Sequence, residues 1–170
     1  MRRFFKKQKI KLFISDMDGT LTDGKIICNE NGDVSKSFHV HDWFGFGLLK
    51  KSGIIVCILT GCNNKSNIVR MKKFLNYGTV NYFYDGLSEN EKLKKIKEVC
   101  FKENIHRNKI AYIGDDLNDL KSMLYCKYKA CPKNSNKKIK SINGIKKLKK
   151  SGGFGAVREY IDYLVDKGFV

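Results

Sequence analysis

The sequence predicts an α/β fold, a parallel sheet with helices on both faces and a small β-hairpin projecting from it. Two observations carry that expectation. Short apolar runs rich in β-branched and aromatic residues alternate with longer segments of helical spacing. The runs are apolar throughout, as strands covered on both faces are. With 170 residues, 42% of them hydrophobic, the chain suits one compact domain over residues 1–170.

Taken in order, Lys11–Ser15, Ile54–Leu59, Val80–Tyr84, Lys109–Ile113 and Tyr128–Cys131 read as buried strands. Phe44–Lys51, Ser66–Asn76, Glu89–Glu103 and Leu117–Tyr125 read as the helices between them, with a last helix near Gly155–Val165. Strands alternating with helices give a parallel sheet. One interruption occurs early: Lys25–Cys28 and Val34–His39 flank the turn residues Asn29–Asp33 and read as a hairpin over residues 25–39. Lys133–Lys150, rich in Lys, Asn and Ser, is expected to be irregular apart from a short helix near Asn136–Ile142. A glycine-rich turn and the final helix occupy residues 151–170.

Composition excludes several classes. No stretch approaches the roughly 20 apolar residues needed to cross a bilayer. The start, MRRFFKKQKIKLFISD, lacks the long apolar region of a secretory signal, so a cytoplasmic location is expected. The six cysteines show no CxxC or other metal-ligand spacing, and Cys57 lies in an apolar run where a buried free thiol is usual. The net charge of +17 is concentrated in two places: residues 1–11 hold six Lys/Arg and residues 133–150 hold eight Lys, with no Asp or Glu in either. Such patches attract phosphates non-specifically, yet no zinc-finger spacing or RNP-like aromatic motif accompanies them. Nucleic acid is therefore not the expected partner, and a solvated surface or attraction for an anionic substrate remains.

The chemistry appears at the strand ends. The first strand runs into Asp16-Met17-Asp18-Gly19-Thr20, the second into Thr60-Gly61, and the fourth into Gly114-Asp115-Asp116-Leu117-Asn118-Asp119. In a parallel sheet these clusters meet on one edge. Carboxylates gathered there raise one another's pKa unless a divalent cation joins them, and oxygen-only ligands favour Mg²⁺ over zinc.

These residues, with a lysine following Tyr84-Asp85-Gly86, resemble the four motifs of the haloacid dehalogenase superfamily, whose Rossmann-like sheet matches the alternation above. The resemblance implies that Asp16 is a nucleophile toward phosphorus and that Asp18 is the general acid and later the general base. It implies that Thr60 and a lysine hold the phosphoryl oxygens, with Gly61 beside them at the substrate. Of Lys92, Lys94, Lys95 and Lys97, Lys92 fits the lysine's place best. Mg²⁺ would be held by Asp16, the Asp18 backbone carbonyl and Asp115, with Asp116 as a further ligand and Asp119 as a support behind them. The spacing between motifs leaves no room for a cap domain.

A closer resemblance lies in IKLFISDMDGTLTDGKI, the NENGD turn, FHVHDWFGFGLLKKSGI, IAYIGDDLND and SGGFGAVRE. Together they are similar to the 3-deoxy-manno-octulosonate 8-phosphate phosphatase family and its relatives acting on nine-carbon keto acid phosphates. That resemblance implies a phosphorylated sugar acid as substrate. It also implies a homotetramer with central hairpins, in which a glycine-rich tail covers an adjacent site. Arg70 matches a family arginine suited to the substrate carboxylate, Arg158 fits either pairing with substrate or pairing with Glu159 in an ordinary helix, and Asp42 fits either ligand binding or a helix N-cap. One departure follows Thr60-Gly61: many members have an arginine there, where this chain has Cys62-Asn63-Asn64-Lys65. Two other classes stand beside this reading, a non-catalytic phosphatase-like stabilising module and a nucleic-acid end-processing phosphatase. Intact Asp16, Asp18 and Asp115 oppose the first, and the missing reader motif opposes the second.

Overall fold

A computed structural model describes residues 9–170, so the first eight residues, with most of the N-terminal cluster of cations, lie outside the described residues. The main sheet has six parallel strands: β1 (Leu12–Asp16), β4 (Ile55–Leu59), β5 (Tyr82–Tyr84), β6 (Ile110–Ile113), β7 (Tyr128–Cys131) and β8 (Lys146–Lys147), in the order β5-β4-β1-β6-β7-β8. From β1 the chain first winds outward through β4 and β5, then returns to place β6 on the other side of β1. That reversal opens a crevice at the carboxyl ends of β1, β4 and β6, where open α/β sheets bind their ligands.

Alternation along each strand sorts the core into two layers. Phe13, Val56, Ile58, Ala111 and Ile113 face one side, against α1 (Val40–Lys51), α2 (Lys65–Asn76) and α6 (Ala156–Asp166). Leu12, Ile14, Cys57, Leu59 and Tyr112 face the other, against α3 (Glu89–Lys102), α4 (Leu120–Tyr125) and α5 (Lys137–Lys140). All six cysteines are free, and burial pushes the Cys57 and Cys126 thiols far up. Among the described residues no helix is long and apolar enough to cross a membrane.

Several boundaries differ from the sequence reading for local reasons. The hairpin is shorter than expected, with β2 (Ile27–Cys28) and β3 (Val34–Ser35) only two residues each. His39 ends it by capping α1, its ring nitrogen accepting from the His41 N–H, so the helix starts at Val40 rather than Phe44. The expected helix Leu117–Tyr125 divides into a 3₁₀ turn (Leu117–Asp119) and α4, because Asp116 caps the turn and Asp119 is drawn inward. The lysine-rich segment carries the expected short helix as α5, and beyond it the edge strand β8, which was not expected. Lysines on an edge strand oppose pairing with another chain.

Asp42 and Arg158 meet at a joint between α1 and α6. Gly45 lets the helices close up, since a Cβ there would lie 2.8 Å from Ile161 Cδ1. Beside it Asp42 Oδ1 accepts from the Arg158 backbone N–H at 2.7 Å, satisfying a first-turn donor of α6. Asp42 is thus not the N-cap of its own helix. The Arg158 side chain pairs with Asp162 at 2.7 Å and lies over Phe44. Burial raises the Asp42 pKa to about 6, against the opposing pull of the Arg158 N–H and nearby Lys150. A raised folded-state pKa means that the carboxyl's contribution to stability is present below about pH 4 and lost as pH rises through about 6. We predict that wild type loses stability relative to Asp42→Asn across that window, measured by urea unfolding at pH 4.5 and pH 7. A difference independent of pH would contradict the assignment.

Candidate active site

The loop after β1 turns back at once, with Thr20, Leu21 and Thr22 N–H groups all donating to the Met17 carbonyl. Gly19, at φ +89°, makes this possible: a Cβ there would lie 2.1 Å from Asp115 Oδ2. A second glycine turn presses on the same loop, since a Cβ on Gly152 would lie 1.8 Å from the Gly19 carbonyl oxygen. The Gly153 N–H donates to the Thr20 carbonyl at 3.2 Å. The glycine-rich segment thus makes a close approach to this chain's own first loop. From there Gly155, at φ +87°, leads into α6.

Lys92 lies at the centre. It stands in the first turn of α3, which Ser88 and Glu91 start with reciprocal hydrogen bonds. Its side chain is fully buried, and Nζ donates to Asp16 Oδ1 at 2.6 Å and to Asp119 Oδ1 at 2.8 Å. Asp119 also accepts from the Tyr112 hydroxyl at 2.7 Å and, through Oδ2, from the Asp115 N–H at 3.1 Å. Asp115 in turn accepts from the Thr20 hydroxyl at 3.0 Å. Asp16, Asp115 and Asp119 each offer an oxygen within 4.8 Å of the others, close enough to share one cation. Asp116 stands beside this group, its Oδ1 accepting from the Leu117 N–H and from Asn136 Nδ2.

The electrostatics follow from this crowding. Burial pushes the Asp16 pKa well above the carboxylate range, Asp119 and Asp115 add to it, and Lys92 opposes it. Burial, followed by Asp119, raises Asp115 to about 7. Burial works against the Lys92 ammonium, but Asp16 and Asp119 outweigh it and hold its pKa above the usual lysine value. Asp119 is already satisfied by four donors, whereas Asp16 and Asp115, when ionised, have only the one shared ammonium of Lys92 to compensate them. An oxygen-only donor set in that state fits a hard divalent cation such as Mg²⁺.

Asp18 and Thr60 are brought together, the Thr60 hydroxyl donating to Asp18 Oδ2 at 3.0 Å. Gly61 is exposed and close-packed, a Cβ there meeting the Leu87 carbonyl at 3.2 Å. Arg70 lines a cavity of about 820 Å³ between the hairpin and α2, its guanidinium over the rings of Phe38, Trp43 and Phe74. Asp42 and Arg158 are engaged with each other and with Asp162 at the helix joint. Two participants escaped the sequence reading. Asn136 ties Asp116 and, through its N–H, the Asp115 carbonyl. Lys36 pairs with Asp18 Oδ1 at 2.6 Å, its side chain only 1% exposed. A signal for Lys36 was present, because Val34, Lys36 and Phe38 share one face of an alternating segment.

Comparison with known proteins agrees with this geometry. A family model described as haloacid dehalogenase-like hydrolase matches residues 87–150. A 3-deoxy-D-manno-octulosonate 8-phosphate phosphatase of Haemophilus influenzae is 32% identical over 161 residues, covering 94% of this chain and 85% of the relative. An N-acylneuraminate cytidylyltransferase of Danio rerio is 26% identical over 94% of this chain, which spans 36% of that longer protein. Among solved structures, the 3-deoxy-D-manno-octulosonate 8-phosphate phosphatase of Moraxella catarrhalis, in complex with magnesium, phosphate and KDO, superposes with a TM-score of 0.83 at 33% identity. That match covers 94% of this chain and 89% of the other. With such identity along almost its whole length, and with its carboxylates and Lys92 gathered at the sheet's switch point, the chain is a phosphatase that belongs to the 3-deoxy-D-manno-octulosonate 8-phosphate phosphatase family of haloacid dehalogenase-like hydrolases.

Proposed function

We propose that the protein is an Mg²⁺-dependent phosphomonoesterase acting on a phosphorylated 2-keto-3-deoxy sugar acid, either 3-deoxy-D-manno-octulosonate 8-phosphate or a nine-carbon acylneuraminate-type 9-phosphate. The observation that carries this reading is the buried Lys92 joining Asp16 to Asp119 beside Asp115. Asp16 attacks phosphorus, and the bond from phosphorus to the sugar oxygen breaks as Asp18 protonates the departing alkoxide. Asp18 then takes a proton from water. The resulting hydroxide attacks the phosphorus of the aspartyl phosphate, releasing phosphate and restoring Asp16. Thr60 and Lys92 hold phosphoryl oxygens where charge develops. The cation would be held by Asp16, the Asp18 backbone carbonyl and Asp115, with Asp116 alongside and Asp119 fixed by its four donors as a support. When bound it supplies charge neutralisation and Lewis-acid polarisation of a phosphoryl oxygen.

The sugar end is assigned to the cavity between the hairpin and α2, which reaches Asp18 through Lys36. Arg70 has a buried Nε without a hydrogen-bond partner there, and burial lowers its pKa. A carboxylate reaching it would gain a charge-assisted bond of about 1.5–3 kcal/mol, roughly tenfold to a hundredfold in specificity. Among the described residues no cap stands over this site: β1 and α1 are joined through the hairpin, and β4 and α3 through α2 and β5. A homotetramer built around the hairpin would supply cover from a neighbouring chain. Of the hairpin's apolar residues Phe38 already packs on Trp43, while Ile26 and Ile27 stay exposed and need a partner surface.

Three outcomes are expected. Hydrolysis of an aryl phosphate requires Mg²⁺ and disappears in Asp16→Asn, which loses nucleophile and ligand together; undiminished turnover by the purified variant would sink the mechanism. Light scattering gives a tetramer at working concentration, and a fully active monomer would refute the shared-cover proposal. In a panel of 3-deoxy-D-manno-octulosonate 8-phosphate, acylneuraminate 9-phosphate, glucose 6-phosphate and a phosphorylated oligonucleotide, a sugar acid phosphate has the highest kcat/KM. First place for either of the last two removes the sugar-acid assignment.

A further inference from the structure

A lysine on an exposed two-residue hairpin has no need to be buried, and taking an ammonium out of water costs several kcal/mol unless its partner and surroundings repay it. Lys36 is nevertheless buried against Asp18. Its neighbours fix its path. On the same face of the hairpin segment Phe38 packs against Trp43, and Arg70 lies over the Phe38 ring at 5.5 Å. Its tip belongs to a closed ring of polar contacts. Lys36 Nζ meets Asp18 Oδ1 at 2.6 Å, Asp18 Oδ2 accepts from the Thr60 hydroxyl at 3.0 Å, Thr60 Oγ1 accepts from the Cys62 N–H at 3.1 Å, and Cys62 Sγ lies 3.7 Å from Lys36 Nζ. Both oxygens of Asp18 are therefore held, one from the hairpin and one from the end of β4.

We propose that Lys36 is a positioning residue that fixes the Asp18 carboxylate for proton transfer to and from the leaving group. The inference rests on the phosphatase mechanism above and adds to it a residue from outside the strand-end motifs. Thr60 alone would leave the carboxylate free to turn about its last side-chain bond. A second hold at the other oxygen fixes its plane, and errors of an ångström in such placement cost on the order of a hundredfold in rate. Lys36 also lines the 820 Å³ cavity to which the proposed function assigns the sugar end, so one residue touches both Asp18 and that cavity. The same contact makes the position of the hairpin felt at the acid.

Leaving-group dependence tests the assignment, because only a residue acting through the general acid loses more on poor leaving groups than on good ones. Wild type, Lys36→Met, Lys36→Arg and Asp18→Asn are compared on p-nitrophenyl phosphate and on the alkyl phosphate that wild type turns over fastest. Lys36→Met is expected to lose about a hundredfold in kcat on the alkyl ester, and at least about tenfold less than that on the aryl ester. KM should move by less than about threefold, and Lys36→Arg should recover most of the loss. Equal losses on both esters, no loss, or a rise confined to KM would overturn the proposal, the last by making Lys36 a substrate ligand. Aryl phosphate turnover in the same sample reports that the site is folded, and Lys36→Gln carries the same comparison if the methionine variant does not fold. Asp18→Asn separates the two levels. If it lacks leaving-group dependence the acid assignment fails, and if it shows the dependence while Lys36→Met does not, only the role of Lys36 fails.

Discussion

The site is organised around one buried cation, the Lys92 ammonium between Asp16 and Asp119. Without it two carboxylates at the ends of β1 and the 3₁₀ turn after β6 would be buried anions with no counter-charge, a state costing several kcal/mol per ion. With it, α3, β1 and the β6 loop are tied to one point. Asp119 uses its remaining capacity on the Tyr112 hydroxyl and on the N–H groups of Asp115 and Asp116. Asp115 is thereby set in place by the lysine two contacts away, and the Asp16–Asp115 pair is left with excess negative charge, which is the condition for binding a divalent cation.

Close backbone approach is the second constraint, and it depends on glycine at particular points. The first loop is caught between Asp115 on one side and the Gly152–Gly153 turn on the other, with no room for a Cβ at Gly19 or Gly152. Asn134 holds the turn from behind by accepting from the Gly152 N–H at 2.9 Å, and Asn136 holds the Asp115 carbonyl. Segments distant in sequence thus press directly on the catalytic loop. The part of the chain after β7 is as much a portion of the site as the strand-end motifs are, although it carries none of the reacting groups.

Much of this was legible in the sequence because the relevant signals are local. Apolar runs ending in Asp16, Thr60 and Gly114-Asp115 located β1, β4 and β6, and the meeting of Asp16 with Asp115 needed only the parallel sheet to be inferred. Choosing Lys92 from four lysines on one helix was possible from its place in the first turn, which the structure explains by its fully buried path to Asp16. The less legible features are long-range. Asp42 carries the same chemistry whether it binds a ligand, caps its own helix or receives the first turn of another, and only the crossing of α1 and α6 decides among these. Strand β8 is two lysines whose strand character comes from pairing with β7 and not from their own propensity. Lys36 was overlooked because a lysine in a hairpin is ordinarily solvated, and its burial depends on where Asp18 stands.

The three cations of the site region show why buried charge is kept here at all. Replacing a buried ion pair by well-packed apolar groups is often neutral or stabilising by about 1–4 kcal/mol. The core has such packing available, with Phe13 set between Phe46 and Tyr160 and Trp43 stacked on Phe74 at 3.8 Å. Stability is therefore supplied by the two apolar layers and would not suffer from an apolar site. What the charges supply is placement. Lys92 is fully enclosed and contacts Asp16, Lys36 is enclosed but reaches in from the hairpin to Asp18, and Arg70 lies among aromatic rings at the wall of the cavity, its buried Nε without a partner. Lys92 and Lys36, each held against a carboxylate, are surrounded by protein, whereas Arg70, which on the proposed reading would meet an incoming anion, stands beside open space.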